Sequence, residues 1–315
     1  MLRERRIRLG SRKSPMAMAQ AHHVQALLTG LVDGLEVEIV GIQTSGDAWQ
    51  GDLAELGGKG AFLKEIDKAL VTGQVDFAVN CLKDVPGDVP LPPGTTIAAY
   101  LERDDVHDVV VFPAGSKYSS LEELPPGARV ATSAVRRKAQ LLRMRPDLHV
   151  DRIRGNVNSR LARLDSDGRF EAMILACAGL ERIGMSDRVG EVLPLEDVCP
   201  AVGAGILCLH AREADRDLIE LLRLLDHPET HVHATAERTM LHGLQGHCNS
   251  PIAGHCTTTP DGQLSLIGMV FTREGGQFAY AHEWDTPTRA PELGAYVAAV
   301  LARKGARGII SGIPH

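Results

Sequence analysis

The chain has 315 residues, 44% of them hydrophobic, with 34 basic and 40 acidic side chains and a formal net charge of −6. This composition excludes collagen-like, disordered and coiled-coil classes, and no run approaches the 18 or more apolar residues of a membrane helix. Two or three domains are expected at this length rather than one. Residues 1–8 are charged where a secretion signal carries its apolar core, so cytoplasmic residence is expected. The six cysteines lie far apart with no C-x-x-C pair and read as reduced thiols.

In chain order, short β-branched runs alternate with amphipathic stretches, the pattern of an α/β fold with a mainly parallel sheet. The first set places strands at 6–9, 37–44 and 76–79 and helices at 15–31 and 61–71. A second set places strands at 108–112, 129–132, 149–153 and 172–175, with helices at 135–144, 157–165 and 177–183. Proline-rich loops separate them at 86–93 and 125–126, and a helix over 212–225 is long enough to return to the first unit. Beyond His227-Pro228, a His-rich helix at 230–244, three alternating runs at 252–258, 263–271 and 278–283, and a helix at 291–303 read as a separate small α+β domain.

Charge is unevenly placed. Residues 129–163 carry nine arginines and Lys138 against Asp147 and Asp151, and the whole chain has 26 arginines to 8 lysines. Arginine's planar fork matches carboxylates and phosphates, which points to a polyanionic ligand, although a solvated, salt-bridged helix face produces the same run. The acidic remainder, 4% aromatic content and lack of zinc-finger or RNP-like motifs argue against nucleic acid.

Three segments place basic residues beside expected helix starts. These are Ser11-Arg12-Lys13-Ser14-Pro15, Ser133 with Arg136-Arg137, and Arg154-Gly155-Asn156-Val157 with Arg160 six residues on. Ser133 reads as a helix N-cap, and cations in a first turn oppose the helix dipole, so the cluster either holds an anion or is simply solvated. Lys83 and Asp84 end a strand, where adjacent side chains point to opposite faces. Asp84 is either a turn residue before Pro86 or a lone carboxylate in a basic cleft, able to hydrogen-bond ligand N–H groups, stabilise a cation and exchange protons. Cys248 sits on a loop between Gly246 and Pro251, beside His247, a setting for a reactive thiol. The nearby His227, His231, His233, His242, His255 and Cys256 lack a metal-site motif, Pro228 interrupts the His227/His231 spacing, and no metal is expected.

Together these segments resemble the porphobilinogen deaminase family across essentially the whole chain. Arg12-Lys13-Ser14-Pro15, Gly57-Gly58-Lys59-Gly60, Leu82-Lys83-Asp84-Val85-Pro86, Ser133 with Arg136-Arg137, Arg154-Gly155-Asn156-Val157, Ala178-Gly179-Leu180, Pro200-Ala201-Val202-Gly203 and Cys248 with Pro251-Ile252 occur in family order and spacing. The resemblance implies two type-II periplasmic-binding-protein-like α/β domains plus a small α+β C-terminal domain. Residues 1–100 with 206–226, 101–205, and 227–315 are the expected units. It further implies a monomeric hydroxymethylbilane synthase that joins porphobilinogen units head to tail on a dipyrromethane cofactor held by a thioether at Cys248. By the same resemblance Asp84 is catalytic; Lys83, Ser133, Arg136, Arg137 and Arg154 bind cofactor; and Arg12, Ser14, Arg160, Arg182 and Lys59 bind substrate, with Lys59 on a loop over the cleft.

The chain departs from the family pattern at Asn80-Cys81, Glu55, Ala204, His210 and His247. A catalytically impaired paralogue acting as a carboxylate- or anion-binding protein is the alternative these departures raise.

Overall fold

The computed structural model describes residues 6–48, 60, 62–246 and 250–312. In chain order the first elements are β1 (Ile7–Arg12), α1 (Pro15–Leu31), β2 (Val37–Ile42), α2 (Ser45–Ala48), α3 (Lys64–Val71), β3 (Phe77–Cys81) and β4 (Thr95–Tyr100). There follow β5 (Asp108–Val111), β6 (Arg129–Ala131), α4 (Val135–Met144), β7 (His149–Asp151), α5 (Val157–Ser166), β8 (Ala172–Ala176), α6 (Cys177–Glu181) and β9 (Glu191–Val192). The chain continues through β10 (Leu207–Arg212), α7 (Arg216–Arg223), α8 (Pro228–Leu244), β11 (Ile252–Thr258), β12 (Leu264–Phe271), β13 (Phe278–Asp285), α9 (Ala290–Arg303) and α10 (Ala306–Ser311).

The first sheet has the order β2-β1-β3-β10-β4. β1 pairs in parallel with β2 and β3, whereas β10 runs antiparallel to both its neighbours. Its core joins Ile7, Leu9, Phe77, Val79 and Leu209 to Val24 and Leu28 of α1 and Leu218 and Leu222 of α7. α1 starts where expected because Ser14 accepts a hydrogen bond from the Ala17 amide and Pro15 fills the first turn, where its missing N–H costs nothing. The second sheet repeats the plan as β7-β6-β8-β5-β9, with β5 antiparallel to β8 and β9. Apolar clusters cover both of its faces. The third unit is the antiparallel sheet β11-β12-β13 with α8 and α9 packed on it. Two α/β units and a small α+β unit are therefore present, as the sequence implied.

Residues 101–107 and 193–206 join the first two sheets, so the chain crosses between them twice. Open α/β sheets bind ligands in the crevice beside strand ends, and these crossings set such a crevice between the units.

Three expectations need correction. The helix expected over 212–225 is the shorter α7, and strand β10 before it was not anticipated; Leu207–Ala211 are buried on both faces, which removes the alternation that marks a half-buried strand. β4, β9 and α10 were not anticipated. Ala134, not Ser133, occupies the N-cap of α4 and makes no side-chain cap.

Candidate active site

The cleft floor begins with β3, whose apolar residues Phe77–Val79 are buried in the first sheet. Leu82, also buried, anchors a 3-10 turn over Leu82–Asp84, closed by the Val85 amide donating to the Leu82 carbonyl at 3.0 Å. Lys83 and Asp84 therefore stand on one tight turn rather than on the extended segment expected. Gly203, at φ +72°, backs this turn; a Cβ there would lie 2.9 Å from Leu82 Cγ and 3.0 Å from the Lys83 nitrogen. Only glycine accepts both that backbone angle and that approach.

Asp84 and Lys83 face a cavity of about 650 Å³ lined from all three units. Among its described lining residues, ten cationic side chains stand against five carboxylates. Arg12 Nη1 lies 4.0 Å from Asp84 Oδ2. Its Nε donates to Asp47 Oδ2 at 2.9 Å, its Nη2 bonds Asp47 Oδ1, and its guanidinium sits 4.2 Å over the Phe62 ring. Burial disfavours that charge, but the Asp47 hydrogen bond and the Asp84 charge more than offset it and raise the Arg12 pKa.

Lys83 has no hydrogen-bond or ion-pair partner among the described residues. Desolvation by its surroundings lowers its pKa, Arg137 and Arg182 add to the effect, and Cys81 and Asp84 oppose it. Arg160 donates to the Gly155 carbonyl at 2.6 Å and to Ser133 Oγ at 2.9 Å, with no carboxylate partner among the described residues. Burial and the charges of Arg137 and Arg154 bring its pKa down to about 10. Burial is the larger cause in both cases, and the neighbouring arginines add to it.

Arg136 and Arg137 line the cleft with their guanidiniums turned onto Asp108: Arg136 Nη2 reaches Oδ2 at 2.5 Å and Arg137 Nε reaches Oδ1 at 2.9 Å. Burial favours the neutral acid, but the two arginines dominate and hold the Asp108 pKa at about 2. Asp108 is the partner that sequence reading missed, because ion pairing between residues 28 and 29 positions apart leaves no local pattern. Arg182 binds Asp104 Oδ2 through Nε at 2.8 Å and the Gly205 carbonyl through Nη2 at 3.1 Å. Arg154 also lines the cavity.

Ser14 is not among the lining residues; its hydroxyl caps α1. Lys59, Glu55, His247 and Cys248 lie outside the described residues, but Gly246 and Ser250, on either side of Cys248, both line the cleft. Gln245 ends α8 at φ 54°, the one non-glycine left-handed residue among those described.

The histidine run resolves into separate tasks. His227 caps α8 with Pro228 in its first turn, so the proline starts the helix rather than disrupting it. His231 Nδ1 lies 2.9 Å from Asp226 Oδ2, and His233 is buried against Thr258 Oγ1 at 2.8 Å. Asp105, Cys177 and Glu181 bring three potential ligand atoms within 4.8 Å of one another, with the thiol 3.8 Å from Glu181 Oε1.

Residues 7–220 match the family model "Porphobilinogen deaminase, dipyromethane cofactor binding domain", and residues 232–303 match "Porphobilinogen deaminase, C-terminal domain". The chain belongs to the porphobilinogen deaminase family. "Porphobilinogen deaminase 2" of Streptomyces coelicolor is 53% identical over 309 residues, 98% of this chain and 97% of that protein. The porphobilinogen deaminase of Chromobacterium violaceum is 43% identical over 310 residues, 98% of each chain. A nutrient binding protein from Burkholderia cenocepacia bound to methionine is similar in structure, with a TM-score of 0.43 and 16% identity over 70% of this chain and 90% of that one.

Four of the departures noted in this porphobilinogen deaminase family member fall on described residues. Asn80 is buried and its Nδ2 has no hydrogen-bond partner among the described residues. Cys81 lines the cleft, its sulfur accepting from Gln20 Nε2 at 3.2 Å and facing Arg182 Nη1 at 3.7 Å. The Ala204 carbonyl accepts from Arg103 Nε at 2.8 Å. His210 is buried, its Nε2 3.4 Å from Thr95 Oγ1.

Proposed function

We infer that this chain is a hydroxymethylbilane synthase, a transferase of tetrapyrrole biosynthesis that condenses four porphobilinogen units head to tail with release of ammonia. The observation that carries this reading is one carboxylate, Asp84, on a rigid turn in a family-matched cleft where cations outnumber carboxylates two to one.

Each condensation breaks the aminomethyl C–N bond of porphobilinogen, and the nitrogen leaves as ammonia. The methylene carbon then bonds to the free α-carbon of a neighbouring pyrrole, which gives up its α-proton. Asp84 accepts hydrogen bonds from pyrrole N–H groups, offsets the cation that develops as ammonia departs, and moves the proton. Arg12 sets a positive charge 4.0 Å from the Asp84 carboxylate. Substrate carboxylates fall to Arg12, Arg160, Arg182 and Lys59. Ser14 supports this set as the cap of α1, which follows β1 and Arg12.

The dipyrromethane cofactor fits the same cleft, because Lys83 and Arg160 make no ion pair with a carboxylate among the described residues. Lys83, Ser133, Arg136, Arg137 and Arg154 would hold its acid groups and Cys248 its thioether. When bound, the group supplies the pyrrole carbon that the first porphobilinogen joins. The reading assigns the Asp84 turn to a unit of residues 1–100 and 206–226, the arginine-rich wall to 101–205, and Cys248 to 227–315. It takes the protein as a cytoplasmic monomer without a nucleic-acid partner. The five cysteines free among the described residues accord with a reducing compartment.

The test is the intact mass of the denatured protein before and after addition of porphobilinogen, with the modified peptide located by proteolysis. Two pyrrole units on Cys248 that grow singly with substrate are expected. A mass that stays unmodified with substrate overturns the reading in favour of an anion-binding protein. Asp84→Ala is expected to keep the two-unit mass when cofactor is supplied and to lose nearly all turnover; wild-type turnover in that variant removes Asp84 from the mechanism.

A further inference from the structure

α8 presents one face to the chain that leaves Asp84. Ala234, Arg238, Leu241 and His242 recur at i, i+4, i+7 and i+8, a single stripe of a helix. Ala234 packs in one apolar cluster with Leu82 and Val85. Arg238 donates through Nη1 to the Val85 carbonyl and through Nη2 to the Pro86 carbonyl, each at 3.2 Å. His242 Nδ1 lies 3.0 Å from the Gly87 carbonyl, so this nitrogen carries the proton. Leu241 leaves no space at Gly87, where a Cβ would meet its Cγ at 2.4 Å.

Three successive carbonyls directly after Asp84 are thus held by the third unit. Residues 85–87 belong to no strand or helix, so side-chain donors satisfy acceptors that regular structure would otherwise satisfy. The same helix ends at Gln245 and leads into the 246–250 segment, whose described ends line the cleft. Neither Arg238 nor His242 lines the cavity.

We propose that Arg238 and His242 are positioning residues for Asp84, holding the chain directly behind its carboxylate against α8 without touching substrate. The proposal rests on the function inferred above. One rigid helix then fixes the segment that carries the group handling the developing cation. A displacement of about 1 Å at a reacting centre costs on the order of 10²-fold in rate.

The test uses holoenzyme of Arg238→Gln, Arg238→Lys and His242→Ala, with cofactor loading checked by intact mass and folding by thermal unfolding. Arg238→Gln is expected to lower kcat about 10²-fold with KM changed less than about threefold, and Arg238→Lys to recover part of the loss. His242→Ala, the milder change, is expected to lower kcat severalfold at unchanged KM and unfolding temperature. In an Asp84→Glu background, where the carboxylate is already displaced, Arg238→Gln is expected to cost far less than in wild type, because residues acting as a unit are non-additive. Equal costs in both backgrounds, or wild-type kcat in the folded, loaded variants, overturn the proposal. If these variants are wild-type-like while Asp84→Ala abolishes turnover, only the positioning fails; if Asp84→Ala itself turns over normally, the functional reading fails.

Discussion

Arg103 and Glu237 meet as a bidentate ion pair, Nη1 to Oε1 at 2.7 Å and Nη2 to Oε2 at 3.3 Å, where the two crossings between sheets touch α8. Glu237 is fully buried yet satisfied, since it also accepts from the Gly203 amide at 2.7 Å and the Cys256 amide at 2.8 Å. Arg103 lies on the first crossing, Gly203 on the second, and Cys256 on β11. This carboxylate therefore ties the third unit to the segments that connect the other two.

Removing one partner of such a pair strands the other, at a cost of about 3–5 kcal/mol. Glu237→Ala is expected to lose that much in urea unfolding. Burial works against ionisation of Glu237, but Arg103 and His255 outweigh it and hold the pKa at about 2, below the ordinary 4.5. Its contribution is complete above about pH 4.5 and fades as the pH falls toward 2. Wild type is expected to lose stability across that window more steeply than the variant.

Gly203 and Gly34 separate backbone strain from collision. Both have positive φ, +72° and +76°, but a Cβ at Gly34 meets nothing within 4 Å, whereas one at Gly203 strikes Leu82 and the Lys83 nitrogen. Gly34→Ala is expected to cost about 1 kcal/mol with turnover intact. Gly203→Ala is expected to push the Asp84 turn aside and lower kcat at least about tenfold. Steady-state kinetics and thermal unfolding of the two proteins make the comparison.

Lys83 loses its proton more readily than an ordinary lysine because its surroundings desolvate the charge. Rising pH therefore removes, before the usual value of 10.5, a cation that the proposed function assigns to the cofactor's acid groups, and kcat is expected to fall on the alkaline side below that value. Arginine keeps its charge there. The Lys83→Arg variant is expected to shift the limb upward in a kcat–pH profile, at some cost in absolute turnover.

Asp67, on α3, has Oδ1 buried without a hydrogen bond and 3.8 Å from His210 Nδ1. Burial raises its pKa from 3.8 to about 6, and burial together with Arg238 lowers that of His210 to about 4. A carboxyl whose folded pKa is raised costs stability as the pH climbs from about 3.8 through 6, where the folded state must ionise it. Asp67→Asn is expected to stabilise the protein by about 1–2 kcal/mol at pH 7.5 and to change little at pH 3.5, as read by chemical denaturation.

Much of the fold could be read along the chain because the periodic signals are local. α1 and α4 were anticipated over their full observed ranges since apolar spacing and, for α1, the Ser14-Pro15 start announce them. β10 was not, because a strand buried between two antiparallel neighbours shows a continuous apolar run that merges with the helix after it. The Lys83-Asp84 turn was read as extended because the contact that folds it, Gly203, lies about 120 residues away.

The sequence by itself determined the alternation of elements, the excess of arginine and the residue types available for chemistry, because these follow from composition and short-range spacing. Only the tertiary structure decided which cations are already answered. Arg136 and Arg137 share Asp108, Arg12 is tied to Asp47, and Lys83 and Arg160 have no carboxylate partner among the described residues. Charge neutralisation acts over a few ångströms in space, and distance along the chain does not measure it.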